Sequence, residues 1–144
     1  MKFNFESSSP KATQEFAKDL GNKLRGGEVI ELIGDVGAGK TTFVIGLAEG
    51  LGSSDHASSP TFTIHNTYAG RLILHHCDFY RLDEDKLIQK ELDDMIDESS
   101  VVVLEWTQNL ANPLKDTIKI FITPQEGEKR HFTLEYPEKY QYII

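Results

Sequence analysis

The run Val29-Ile30-Glu31-Leu32-Ile33-Gly34-Asp35-Val36-Gly37-Ala38-Gly39-Lys40-Thr41-Thr42 restricts what this chain can fold into more than any other stretch. It fits G-x-x-x-x-G-K-[ST], a pattern that average residue usage produces by chance in roughly one chain in a few hundred. Its neighbours raise its weight. Val29 to Ile33 is an apolar, β-branched run that reads as a buried strand. Beyond the glycines, Phe43, Val44, Leu47, Ala48 and Leu51 return at helical spacing, with Gly52 as a stop signal. Strand, glycine loop and helix in that order form the setting in which this pattern binds phosphate.

The residue types follow from that chemistry. Gly34, Gly37 and Gly39 are expected in left-handed conformations, so that successive N–H groups point inward at phosphate oxygens. The helix that follows turns its positive dipole end toward the same anion. The cradle is expected to run from Gly34 through Asp35, Val36, Gly37, Ala38 and Gly39 to Lys40, Thr41 and Thr42. Lys40 is placed to reach the β- and γ-phosphates, and the Thr41 hydroxyl to ligate Mg²⁺.

A chain of 144 residues suits one domain with a real core, here expected to span residues 1–144. One cysteine, Cys77, excludes an internal disulfide framework and fits a reducing compartment. The opening residues carry no apolar signal-peptide core and no stretch approaches membrane-spanning length, so a cytoplasmic location is expected. A net charge of −8 argues against a broad basic face for nucleic acid, so any such role is expected to run through partner proteins.

Along the chain, Phe3-Asn4-Phe5 alternates as a short edge strand. Ser7-Ser8-Ser9-Pro10 opens a helix whose apolar stripe is Ala12, Phe16, Ala17, Leu20 and Leu24, and which Gly26-Gly27 ends. Thr13 on that helix reads equally as a nucleotide neighbour or a solvent-facing threonine. Residues 53–60 are rich in turn formers, and the Ser59 and Thr61 hydroxyls are candidates to meet Mg²⁺ or its waters. Thr61 to Tyr68 and Arg71 to Asp78 read as a hairpin joined at Ala69-Gly70, which makes the sheet mixed.

Strand alternation puts His76, Asp78 and Tyr80 on one face and His75 and Cys77 on the other, so a zinc site is disfavoured. Asp78, after an apolar strand, is a candidate second Mg²⁺ contact. Asp83 to Asp97 reads as an acidic helix with Leu87, Ile88, Leu92, Met95 and Ile96 on its apolar stripe. Val101 to Glu105 reads as a central parallel strand, with Glu105 at the end where open α/β sheets place their ligands. Glu105 competes with Asp78 for the metal, or else orients or deprotonates the attacking water. Trp106 is either core or an aromatic neighbour of the nucleotide. Thr117 to Ile122 and Arg130 to Glu135 read as two strands that extend the sheet and carry no evident chemistry. The fold class expected is α/β, a three-layer phosphate-loop domain with a mixed, mainly parallel sheet and an antiparallel hairpin.

The segments Gly34 to Phe43, Ser59-Pro60-Thr61-Phe62, His76-Cys77-Asp78-Phe79-Tyr80-Arg81 and Glu105-Trp106 together resemble the bacterial TsaE (YjeE) family in order and spacing across nearly the whole length. The resemblance implies an ATPase of tRNA threonylcarbamoyladenosine (t⁶A37) biosynthesis. Such an ATPase uses ATP and Mg²⁺, works with TsaB and TsaD, and meets tRNA only through the complex. It implies phosphate and metal roles for Lys40 and Thr41, a Walker-B-like carboxylate at Asp78, functional positions at Thr42, Glu105 and Trp106, and a switch-like segment at 59–62. Thr107 departs from the proline the family often carries there. Two alternatives stand beside this reading. A small-molecule kinase normally needs an arginine-bearing lid, which the chain lacks, whereas a nucleotide-gated scaffold is compatible with the same residues. No Asn/Thr-Lys-x-Asp segment supports a GTPase.

Overall fold

The structure is a computed structural model that describes residues 1–54, 65–79, 86–110 and 113–144, with the backbone alone at 86–89 and 109. The strands are β1 (Lys2–Ser7), β2 (Val29–Ile33), β3 (His65–Tyr68), β4 (Ile73–Asp78), β5 (Ser100–Glu105), β6 (Ile118–Pro124) and β7 (Arg130–Glu135). The helices are α1 (Pro10–Lys23), α2 (Lys40–Gly50) and α3 (Lys86–Met95). The strands form one sheet in the order β1-β7-β6-β2-β5-β4-β3. Its centre, β6-β2-β5-β4, is parallel, while β1, β7 and β3 pair antiparallel at the two margins.

Each face of the sheet carries its own core. Ile30, Leu32, Leu74, Val101 and Val103 pack with the α1 and α2 side chains Leu20, Phe43 and Leu47. On the opposite face Val29, Cys77, Val102 and Leu104 pack with Leu92 of α3. This is the layered arrangement that a parallel sheet requires, since both of its faces are apolar. The period-2 alternation of β5 divides Val101 and Val103 from Val102 and Leu104. The same alternation delivers Glu105 to the α2 face, and that of β4 delivers His76 and Asp78 there.

Helix α1 begins where its sequence says it should. The Ser9 side chain accepts the N–H of Ala12 at 3.1 Å, and Pro10 occupies the first turn. Its contact with α2 is unusually close: a Cβ on Gly46 would stand 2.3 Å from the carbonyl oxygen of Gln14, so only glycine fits there.

Three boundaries differ from expectation. Helix α1 stops at Lys23, before the glycine pair, because Leu24 is already extended at φ −68°, ψ 142°. Gly26 and Gly27, at φ 105° and 90°, instead turn the chain back toward β2. Strand β4 starts at Ile73 rather than Arg71, since the Arg71 N–H bonds to Leu51 O at 2.7 Å. The Arg71 guanidinium meanwhile donates to Gly21 O and Leu24 O, carbonyls at the C-terminal end of α1. The expected strand residues 61–64, the 59–62 segment, Tyr80, Arg81 and the expected helix start at 83 lie outside the described residues. Ile96, expected on the α3 stripe, falls just past the helix and is 37% exposed.

Candidate functional site

The glycine loop joins β2 to α2 at the C-terminal edge of the parallel strands, where open α/β sheets hold ligands. Gly37 and Gly39 have φ of 83° and 109°, in the left-handed region expected of them. Gly34 does not, which corrects the expectation for that position. Its constraint is space: a Cβ there would come within 2.8 Å of Ile122 O on β6. The Ala38 N–H donates to Asp35 O at 3.0 Å and tightens the loop, leaving Asp35 and Val36 exposed and Ala38 buried. Helix α2 has Gly39 as its N-cap, no side-chain cap and no acidic residue in its first turn. A helix start with unmet N–H groups and no carboxylate of its own favours an external anion.

Lys40 is 7% exposed, and three groups surround its ammonium. Nζ donates to Gly34 O at 2.7 Å, lies 3.5 Å from Glu105 Oε1 and sits 4.2 Å from the centre of the Trp106 ring. A charge this deep persists only with partners of this kind. Glu105, 4% exposed, bridges onward through Oε2 to His76 Nε2. His76 is fully buried, and its Nδ1 finds no partner among the described residues. Lys40, Glu105 and His76 thus form one buried chain of polar groups between α2, β5 and β4. The β4–β5 register sets Asp78 directly opposite Glu105, so the two carboxylates end neighbouring strands.

Trp106 is half-buried at φ 59°, ψ 45°, a left-handed conformation that is strained for so bulky a residue. That bend aims its ring at Lys40, so its place is the site as well as the edge of the core. Trp106, Gly34, Asp35, Gln108, Phe121 and Pro124 are among the residues lining a cleft of about 330 Å³ beside the loop. Thr41 and Thr42 lie half-buried in the first turn of α2. Thr13 is 2% exposed, which excludes a solvent-facing role, and its hydroxyl pairs with that of Ser7 at 2.7 Å.

The donor set suits magnesium. A hydroxyl at the start of α2 and two carboxylates on adjacent strand ends are hard oxygen donors, and Mg²⁺ takes few protein ligands beside substrate phosphates. Among the described residues no three His, Cys, Asp or Glu side chains group as metal ligands. Burial pushes the Cys77 thiol up to about 12, far from the thiolate that zinc needs.

Sequence reasoning missed two groups. Arg130, on a strand assigned no chemistry, donates from Nε to Ala38 O in the glycine loop at 3.0 Å. Strand alternation puts His76 on the face with Asp78, but nothing in the sequence announces its bond to Glu105, 29 residues away. Both contacts depend on strand register, which local patterns do not encode.

Known proteins resemble this chain in sequence and in fold. Residues 7–132 match the family model described as TsaE, threonylcarbamoyl adenosine biosynthesis protein TsaE. The Bacillus subtilis tRNA threonylcarbamoyladenosine biosynthesis protein TsaE is 38% identical over 127 residues, covering 87% of this chain and 80% of that protein. The Treponema pallidum protein of the same name is 35% identical over 130 residues, covering 89% and 96%. A crystal structure of Bacillus subtilis YdiB superposes with a TM-score of 0.78 at 29% identity, covering 99% of this chain and 91% of that one.

Proposed function

The chain belongs to the TsaE family, and from that premise we propose that it is an ATP-binding and ATP-hydrolysing subunit required for t⁶A37 modification of tRNA, acting with TsaB and TsaD. The observation that carries this reading is the convergence of Lys40, Glu105 and Trp106 at the mouth of a glycine loop whose helix lacks an anion of its own. An α-, β-, γ-phosphate chain supplies that anion, and the loop amides from Asp35 to Thr42 receive it. Thr41 and Asp78 are the residues that would hold Mg²⁺, which supplies charge neutralisation at the phosphates, while Glu105 beside Asp78 is left for the attacking water.

Lys40 exchanges its hold on Gly34 O and Glu105 for phosphate oxygens, so binding releases the Glu105 carboxylate. That carboxylate, kept in place by His76, is then available to orient or deprotonate a water beside the γ-phosphate. Trp106 covers the lysine and keeps bulk water from it, which strengthens its pull on phosphate. Among the described residues no helix is long and apolar enough to cross a membrane. With a net charge of −8, contact with tRNA through the partner complex is the favoured route.

Reconstitution with TsaB, TsaD and tRNA, measuring ATP consumption and modified adenosine together, tests the proposal. Both signals should require this chain and Lys40. Modification that proceeds with ATP binding but no consumption favours the nucleotide-gated scaffold, and phosphate transfer to a small acceptor favours a kinase.

A further inference from the structure

Arg130 opens β7, 92 residues from the loop it touches. Its Nε–H donates to Ala38 O at 3.0 Å, while Nη1 donates to Gly127 O at 3.0 Å and Lys129 O at 2.8 Å in the turn between β6 and β7. That turn is closed by its own main-chain bonds, Gln125 N–H to Lys129 O at 2.9 Å and Lys129 N–H to Glu126 O at 3.1 Å. The guanidinium is therefore a rigid fork fixed at one end to the turn and at the other to the phosphate loop. A Cβ built on Gly39 would lie 3.9 Å from Nε, so the side chain packs against the loop at Gly39.

Peptide geometry makes this contact consequential. The bonds here are trans, so the carbonyl of Ala38 and the N–H of Gly39 point in opposite directions across one plane. Gly39, at φ 109°, offers little resistance to rotation of that plane. Holding the Ala38 oxygen outward on Arg130 holds the Gly39 N–H inward, toward the phosphate.

We infer that Arg130 is a positioning residue for phosphate binding, presetting the Ala38–Gly39 peptide so that the loop presents its amides before the nucleotide arrives; this rests on the nucleotide-binding reading above. Without the clamp, the peptide samples both orientations, and binding has to select the competent one. The deficit falls on the phosphates and not on the nucleoside.

The test is calorimetric titration of the full chain with inorganic tripolyphosphate, ADP and adenosine, comparing wild type, Arg130→Met and Arg130→Lys. Arg130→Met is expected to weaken tripolyphosphate and ADP by roughly tenfold, the scale of one charged hydrogen bond, with adenosine unchanged. Arg130→Lys should recover part of that loss, because a lysine can reach one carbonyl but cannot fork to the turn as well. If Arg130→Met fails to fold in circular dichroism, Arg130→Lys decides the matter through a severalfold loss for tripolyphosphate. Tripolyphosphate affinity within twofold of wild type in the folded variants overturns the inference and leaves the nucleotide site standing. A wild-type chain that binds neither tripolyphosphate nor ADP removes both.

Discussion

Replacing Glu105 by alanine should separate stability, binding and turnover. The carboxylate and Lys40 are both nearly buried and 3.5 Å apart, so its loss leaves a buried ammonium without its counter-charge. Removing one partner of such a pair costs about 3–5 kcal/mol. The Gly34 carbonyl and the Trp106 ring remain on Lys40, which puts the loss at the lower end, about 3 kcal/mol. At roughly 2–4 °C per kcal/mol for a chain near this size, the melting temperature falls by about 6–12 °C. ATP affinity should nonetheless stay near wild type, because the phosphates themselves become the counter-charge of the lysine. Turnover at saturation should fall by about 10²–10⁴-fold, the range for a lost general base. The assays are thermal melting with and without Mg²⁺–ADP, calorimetry of nucleotide binding, and steady-state phosphate release. Lost affinity with unchanged turnover at saturation would refute the role given to Glu105, and an unshifted melt would refute the buried pair.

Three further outcomes are expected. Gly46→Ala forces a Cβ to within 2.3 Å of the Gln14 carbonyl, so it should lower stability to urea by about 1–3 kcal/mol, and an unchanged midpoint would contradict the α1–α2 packing. His65 and His75, joined at 3.0 Å, both titrate below the ordinary 6.5: burial is the main cause in each, with His76 adding for His65 and His65 adding for His75, against Glu91 and Asp97. The unfolded chain therefore takes up these protons first as pH falls. The stability they contribute is present above about pH 6.5 and is lost as pH drops through the lower folded values, so urea midpoints should decline below pH 6.5, less steeply in a His65→Asn/His75→Asn chain. TsaB and TsaD together should raise the ATPase rate, since the loop tip is open, with Val36 77% exposed; an identical rate with and without them would indicate a stand-alone enzyme.

The parts of the fold legible in the sequence are those that a few neighbouring residues determine. Ser9 and Pro10 start α1, the apolar run Val29 to Ile33 becomes β2, and Val101 to Glu105 lies between β2 and β4 as a central parallel strand. Lys40, Thr41 and Glu105 can be proposed from sequence because the chemistry expected of them is tied to the ends of those elements. What the sequence concealed lies across the sheet. Arg71 leaves its expected strand to satisfy carbonyls of α1, and Arg130 reaches the glycine loop through the placement of β7 beside β6 and β6 beside β2. The register of β4 on β5 brings His76 to Glu105 and sets Asp78 opposite it, a fact no periodicity contains. Gly34 illustrates a further limit: the sequence marks a glycine but not whether dihedral freedom or lack of room demands it, and here Ile122 supplies the answer.

The central proposal is Lys40 as the cationic centre of a nucleotide phosphate site. Calorimetric titration of the wild-type chain and of Lys40→Ala with a non-hydrolysable ATP analogue and Mg²⁺ tests it most directly. The wild type should bind one nucleotide per chain, and the variant should bind at least tenfold to a hundredfold more weakly, about the worth of charge-assisted bonds to phosphate. Equal affinity in the two proteins, or no binding by the wild type, would contradict it.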